Sequence, residues 1–279
     1  MNAIEIKGLT KDFGSFKLDG IDLTLPSGCI MGLVGENGAG KSTTIKLILD
    51  MIKRDSGTVT LLGRDNRDDL RLTKEDVGVV FDEVGLSGCL TAEQVGRIMQ
   101  YTYKNWNGRQ FGKYLEKLAV PKDKKFSEFS RGMKMKLGIA VALSHDAKLL
   151  ILDEATSGLD PVVRDEVVGM FSEFTRDESH AVLISSHIVS DLEKICDYIA
   201  FIHKGKLLLC EEKDMLKERY GIARCTSEQL ADIAPEAIKG KKVGAYGVEA
   251  IVERAKVPAG LEVSPIDIEQ LFIFMVKEA

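Results

Sequence analysis

The apolar run Ile30-Met31-Gly32-Leu33-Val34 leads without a break into Gly35-Glu36-Asn37-Gly38-Ala39-Gly40-Lys41-Ser42, and helix-type sequence follows from Lys41 to about Lys53. Five apolar residues in a row mark a strand buried on both faces, the habit of a parallel sheet covered by helices. The glycines at 35, 38 and 40 let the backbone curl until successive N–H groups point inward at the start of the helix, which makes an anion nest. The spacing is the Walker A pattern: Lys41 reaches the β- and γ-phosphates of a nucleotide, the Ser42 hydroxyl is placed to ligate Mg²⁺, and the stretch runs on through Thr43. By itself the loop would suit a kinase or a GTPase equally well, and a glycine turn with a surface lysine is the bland alternative.

The rest of the chain supplies the setting for such a loop. Residues 1–30 read as short strands of a small antiparallel β region, with Ile4-Glu5-Ile6 and Ile21-Asp22-Leu23-Thr24-Leu25 alternating and turns at Gly14-Ser15 and Pro26-Ser27-Gly28. Gly57–Leu62 and Val77–Phe81 read as further strands, and Leu149–Leu152 and Ala181–Ser186 as buried ones. Thr91 to Ser144 turns helical, which predicts an inserted helical subdomain over about 86–145. Strands alternating with helices imply an α/β fold with a mostly parallel core sheet, whose ligands sit at the carboxyl ends of the strands. After about Tyr220 the segments become short and rich in Gly, Ala and Lys, so we expect a main domain over 1–220 and a small accessory domain over 221–279.

Composition narrows the function. A net charge of −5 argues against a protein that coats nucleic acid through bulk electrostatics. Every hydrophobic stretch is interrupted before the eighteen or so residues of a spanning helix, so no direct membrane insertion is expected. The amino terminus lacks the layout of a secretory signal, which points to the cytoplasm. Cysteines 29, 89, 196, 210 and 225 show no metal-binding spacing and read as reduced, partly buried thiols.

Asp153-Glu154 puts two carboxylates at the tip of a buried strand, where alternation aims them in different directions. One can hold a Mg²⁺ shell while the other orients or deprotonates an attacking water. An isolated Asp-Glu pair is more often a solvated loop, but its neighbours count here. Phe129-Ser130-Arg131-Gly132-Met133 precedes a helical stretch, Asp153-Glu154-Ala155-Thr156-Ser157-Gly158-Leu159-Asp160-Pro161 follows a strand, and Ser185-Ser186-His187 ends another. In this order these segments resemble the Walker A, signature, Walker B, D-loop and switch-histidine motifs of the ATP-binding cassette family, over roughly residues 1–220. The interval from Lys41 to Ser130 leaves room for a compact helical subdomain and too little for a long coiled-coil arm.

The resemblance implies an ATPase that binds ATP and Mg²⁺ and works as a dimer. Two chains, alike or merely related, would sandwich two ATP molecules. Ser130 and Gly132 of one would cap the γ-phosphate held by Walker A of the other, and Asp160 would join the nucleotide contacts. Glu154 would be the general base, His187 a clamp on phosphate and water, Phe13 the aromatic that stacks on adenine, and Ser42 and Asp153 metal ligands. Two departures stand out. The signature carries Arg131 where many members have a glycine, and Met133 where many have glutamine. Asp82 stands where the family usually puts a glutamine that contacts Mg²⁺. A carboxylate there can still touch the metal or its waters, but it cannot donate like an amide.

From Lys104 to Lys136 there are ten Lys or Arg against three Asp or Glu. This patch either faces phosphates across a dimer or is a solvated helical face. Tyr101, Tyr103 and Trp106 nearby suit the helical core or a partner groove better than nucleic acid bases. The single cassette, the want of membrane segments and the short carboxyl-terminal extension resemble ATPase subunits of bacterial ABC-2-type exporters, the bacitracin-export-like group among them. That implies membrane permease subunits as partners and a place at the inner face of the membrane. A soluble cassette ATPase outside transport, and a nucleotide-gated module with little turnover, are the alternatives.

Overall fold

The computed structural model describes residues 1–68, 74–244, 247–258 and 260–278. Two long strands come first, β1 (Asn2–Asp12) and β2 (Lys17–Pro26), followed by β3 (Ile30–Val34), α1 (Lys41–Ile48), β4 (Ser56–Leu61), β5 (Arg64–Asp65) and β6 (Val77–Val80). Helices α2 (Ala92–Thr102), α3 (Gly108–Lys117) and α4 (Arg131–Ala142) are inserted between β6 and β7 (Leu149–Asp153). Then come α5 (Pro161–Phe174), β8 (Ala181–Ser186), α6 (Val189–Ile195), β9 (Tyr198–His203), β10 (Lys206–Glu212) and α7 (Lys213–Arg219). The chain ends with β11 (Tyr220–Cys225), α8 (Ser227–Ala231), β12 (Ile238–Gly244), β13 (Gly247–Glu253), β14 (Val263–Ser264) and α9 (Ile268–Glu278).

Among the described residues these strands form three sheets. The antiparallel one has the order β2-β1-β4-β5. The core sheet has the order β10-β9-β3-β8-β7-β6, parallel throughout except for its edge strand β10. This is the mostly parallel α/β core, antiparallel β region and helical insertion that the sequence predicts. Helix α1 stops at Ile48, short of Lys53, because Asp50 takes a left-handed φ of 50° and the Met51 N–H turns back to the Lys46 carbonyl.

Every residue of β3, β7 and β8 is buried. Alternation sends Ile30, Val34, Leu150, Leu152, Val182 and Ile184 into one apolar cluster and Met31, Leu33, Leu149, Ile151, Ala181 and Leu183 into another, one on each face. Each Leu, Ile or Val so buried contributes roughly 1.5–3 kcal/mol to holding these strands together. Helix α4 packs against β6 and carries the insertion onto this frame. The insertion adds Val95, Phe111, Leu115 and Phe126 to the apolar cluster on that face of the sheet. Thr91 starts α2 with a capping box to Gln94, and Asn107 caps α3 through the Gln110 N–H. Trp106 packs on Phe111 and Tyr103 stacks on the buried His145, whereas Tyr101 stands 93% exposed.

The third sheet, β12-β13-β11-β14, is antiparallel; Ala223, Ala250 and Val252 pack with Ile233 and Ala237 in a small cluster of their own, and other residues join the core. Ile222, Ile251, Ile266 and Leu271 join the cluster that holds Phe201, and Phe272 of α9 meets Phe201 edge-on at 5.1 Å. Glu253 ends β13 almost wholly buried, 2.7 Å from the Lys256 ammonium, 3.1 Å from Lys239 and 3.3 Å from the Arg219 guanidinium of α7. The hydrogen bond from Lys256, helped by Lys239 and opposed by burial, lowers its pKa from 4.5 to about 2. The folded state therefore gains from this carboxylate above pH 4.5 and loses the gain as the pH falls toward 2. Glu253→Gln leaves three cations around a neutral amide and is expected to cost about 1.5–3 kcal/mol at neutral pH. Melting curves should show a constant gap between parent and variant above pH 4.5 that closes as the pH falls toward 2.

Candidate active site

Register brings the strand ends level. Val34 lies opposite both Ser186 and Phe201, Asp153 opposite Ser185, and Val80 opposite Leu152, so the segments leaving β3, β6, β7 and β8 emerge side by side. A cavity of about 740 Å³ opens there. Its wall is the Walker A segment from Glu36 to Thr43, Ala39 excepted, with Phe16, Asp82, Arg131, Glu154, Ser157 and His187 facing it.

The loop rests on β9. A Cβ at Gly35 would stand 2.6 Å from the Ile202 carbonyl oxygen, so this position has no room for a side chain. Gly40 takes a φ of 116°, open to glycine alone at low cost, and ends the loop at the N-cap of α1. Buried Ala39 anchors the turn, its N–H bonded to Glu36 and its carbonyl to Gly205. Lys41 is also buried, and its ammonium donates to the carbonyls of Gly35 at 2.7 Å and Glu36 at 3.3 Å. Ser42 is exposed at the helix start.

Beyond β7 the backbone turns at Glu154, whose φ of 53° is left-handed and costs about 1–3 kcal/mol for a residue with a side chain. Three hydrogen bonds hold it there: its N–H donates to the Ser185 carbonyl and hydroxyl, and its carbonyl accepts from the Ser157 N–H. The turn parts the two carboxylates. Asp153 stays buried and accepts the Ser185 hydroxyl at 2.7 Å. Glu154 reaches the cavity, with one oxygen 3.3 Å from the Lys41 ammonium and the other 2.6 Å from Nδ1 of the half-exposed His187. A carboxylate held on both sides in this way is placed to accept a proton beside the loop.

The remaining sequence-derived residues lie farther out. Phe13 is exposed and does not line the cavity, whereas Phe16 does, with the two ring centroids 6.4 Å apart. Ser130 caps α4 through the Met133 N–H and is exposed. Gly132 lies against Gly158, where a Cβ would come 3.0 Å from the carbonyl oxygen. Asp160 caps α5, accepting from the Val163 N–H. None of these three lines the cavity of its own chain. Eight of the ten cations between Lys104 and Lys136 are exposed; Lys122 pairs with Glu116, Lys134 lies over the Phe126 ring, and Arg131 pairs with Asp82.

Sequence reasoning passed over Phe16, Ser157 and Ser185, whose parts follow from loop path and register rather than residue type. It also passed over buried His203, whose Nδ1 lies 3.3 Å from the Glu36 carboxylate at the end of β9. Being the last residue of a parallel strand is the signal that would have found it. Among the described residues no cluster of three His, Cys, Asp or Glu side chains can hold a metal ion alone. Ser42, Asp82 and Asp153 offer hard oxygen donors near one strand edge, a set that fits Mg²⁺, which is commonly held by one or two carboxylates together with substrate phosphates.

The ABC transporter family profile matches residues 18–157. The bacitracin transport ATP-binding protein BcrA of Enterococcus faecalis is 36% identical over 208 residues, covering 74% of this chain and 68% of that protein. The lantibiotic transport ATP-binding protein SrtF of Streptococcus pyogenes is 35% identical, covering 76% and 91%. An uncharacterized ABC transporter ATP-binding protein, YhcH of Bacillus subtilis, is 30% identical over 98% of this chain and 91% of its own length. Among solved structures, the ATP-binding subunit of an ABC transporter superposes with a TM-score of 0.72 at 25% identity, covering 77% of this chain and 92% of that one. The chain belongs to the ABC transporter family, as an ATP-binding, ATP-hydrolysing subunit.

Gly35→Ala tests the seat of the loop. Its methyl group must push against the Ile202 backbone, and the expected cost is roughly 1–3 kcal/mol in a denaturant titration. Weaker ATP binding should accompany it in a fluorescence titration.

Proposed function

We propose that this chain works as one of two cassettes beneath a membrane permease, hydrolysing ATP with Glu154 as general base to drive export. The observation that carries the reading is the Glu154 carboxylate, held between Lys41 and His187 beside the Walker A loop. In this scheme Lys41 moves its donors to the phosphates, Glu154 takes the proton of the attacking water, and His187 steadies water and γ-phosphate. Ser42 and Asp153, with Asp82 nearby, would hold Mg²⁺, which neutralises phosphate charge when bound. Phe13 and Phe16 together offer an aromatic wall for adenine.

Ser130, Gly132 and Asp160 do not line their own chain's cavity. This supports a use for them across a dimer, against the nucleotide of a second cassette, either another copy or a related chain. In this reading the cargo path belongs to a separate permease and this chain sits at its inner face; among the described residues no helix is long and apolar enough to cross a membrane. Relatives named for bacitracin and lantibiotic transport support export. We assign residues 1–220 to the cassette and 221–279 to an accessory domain.

Glu154→Gln tests the chemistry. General-base catalysis contributes roughly 10²–10⁴-fold, so phosphate release should fall at least about a hundredfold while ATP still binds, and an ATP-dependent dimer should accumulate on gel filtration. Equal phosphate release by parent and variant would rule out Glu154 as the base, and a monomer alone in ATP would remove the paired arrangement.

A further inference from the structure

Asp82 and Arg131, the two positions of opposite charge that depart from the family pattern, meet in space. Arg131 is the first residue of α4, on the helical insertion, and its Nη2 donates to an Asp82 carboxylate oxygen just past β6 of the core sheet. The same Nη2 lies 3.4 Å from the Ser157 hydroxyl, and the Arg131 stem covers Gly158. One side chain therefore joins the strand end, the signature helix and the turn after Glu154. Both members of the pair line the cavity that holds Lys41 and Ser42.

The exposure of the pair decides what it can do. With side chains 59% and 44% exposed, it is worth only about 0.2–1 kcal/mol as a surface ion pair. That is too little to brace two subdomains, and little enough for a divalent cation to displace. Asp82 also lines the same cavity as Ser42, the residue beside which a cation bound to a nucleotide's phosphates would sit. Its oxygens cannot serve a guanidinium and a metal shell equally well.

We infer that Asp82 and Arg131 form an exchangeable clasp. In the conformation seen here Arg131, beside Ser130 and Gly132 at the start of α4, occupies the Asp82 carboxylate. When the cavity takes Mg²⁺ with ATP, Asp82 turns to the metal shell and Arg131 lets go of it. Arg131 is thus a positioning residue whose departure is linked to metal binding. The inference rests on the proposed use of this cavity for Mg²⁺ and ATP.

Metal affinity tests it apart from turnover. Mn²⁺ is titrated into the full-length protein with a non-hydrolysable ATP analogue, and free Mn²⁺ is followed by electron paramagnetic resonance. Arg131→Ala, with Arg131→Gln as a second variant, should tighten Mn²⁺ binding roughly two- to fivefold, the range that a pair of this strength predicts. Asp82→Asn should weaken it, and adding Arg131→Ala to Asp82→Asn should bring no further change. Unchanged Mn²⁺ affinity in both Arg131 variants, or additive effects in the double variant, overturns the clasp alone. A parent protein that binds no analogue overturns the nucleotide site and the clasp together.

Discussion

Side chains on β3, β7 and β8 have water on neither face, and the rest of the molecule answers to that constraint. Strands buried in this way can carry polar groups only at their ends. Parallel pairing then sets those ends side by side, so the Walker A loop, Asp153-Glu154, His187 and Asp82 leave the sheet along one edge. The sheet stands firm because its apolar residues divide between two clusters, and a loop without regular structure is thereby held to within hydrogen-bonding distance of a carboxylate from another strand.

Buried strands were legible in the sequence because period and composition are local properties. Ile30–Val34 and Ala181–Ser186 emerge with the limits their apolar runs give. The order of motifs was legible for the same reason. What escaped depends on which atoms meet. Phe13 and Phe16 are both aromatic and three residues apart, and nothing in their types says that Phe16 is the one that lines the cavity, against Gly40. Ser185 reads as one more strand residue until register puts it opposite Asp153. Asp82 and Arg131 each read as an isolated oddity, and only the fold makes them partners. The end of α1 was misplaced because Asp50 adopts a left-handed φ that aspartate enters more readily than most residues.

The carboxyl-terminal sheet is not an independent bead on the chain. Phe272 rests on Phe201 of β9, and the next residue of β9, Ile202, is the one whose backbone bars a side chain at Gly35. One strand thus carries the contact of the carboxyl-terminal helix α9 and, at its end, the seat of the phosphate loop. Glu253 adds a polar tie from the same sheet to α7 through Arg219.

Glu154 holds a left-handed backbone shape that glycine adopts with less strain. Selection for thermal stability alone would therefore drift away from the carboxylate at this position, the group proposed as the general base. With Glu154 in that proposed role, libraries of this chain screened only by melting temperature would enrich for well-folded proteins that bind nucleotide and do no work, and an activity screen has to run beside them.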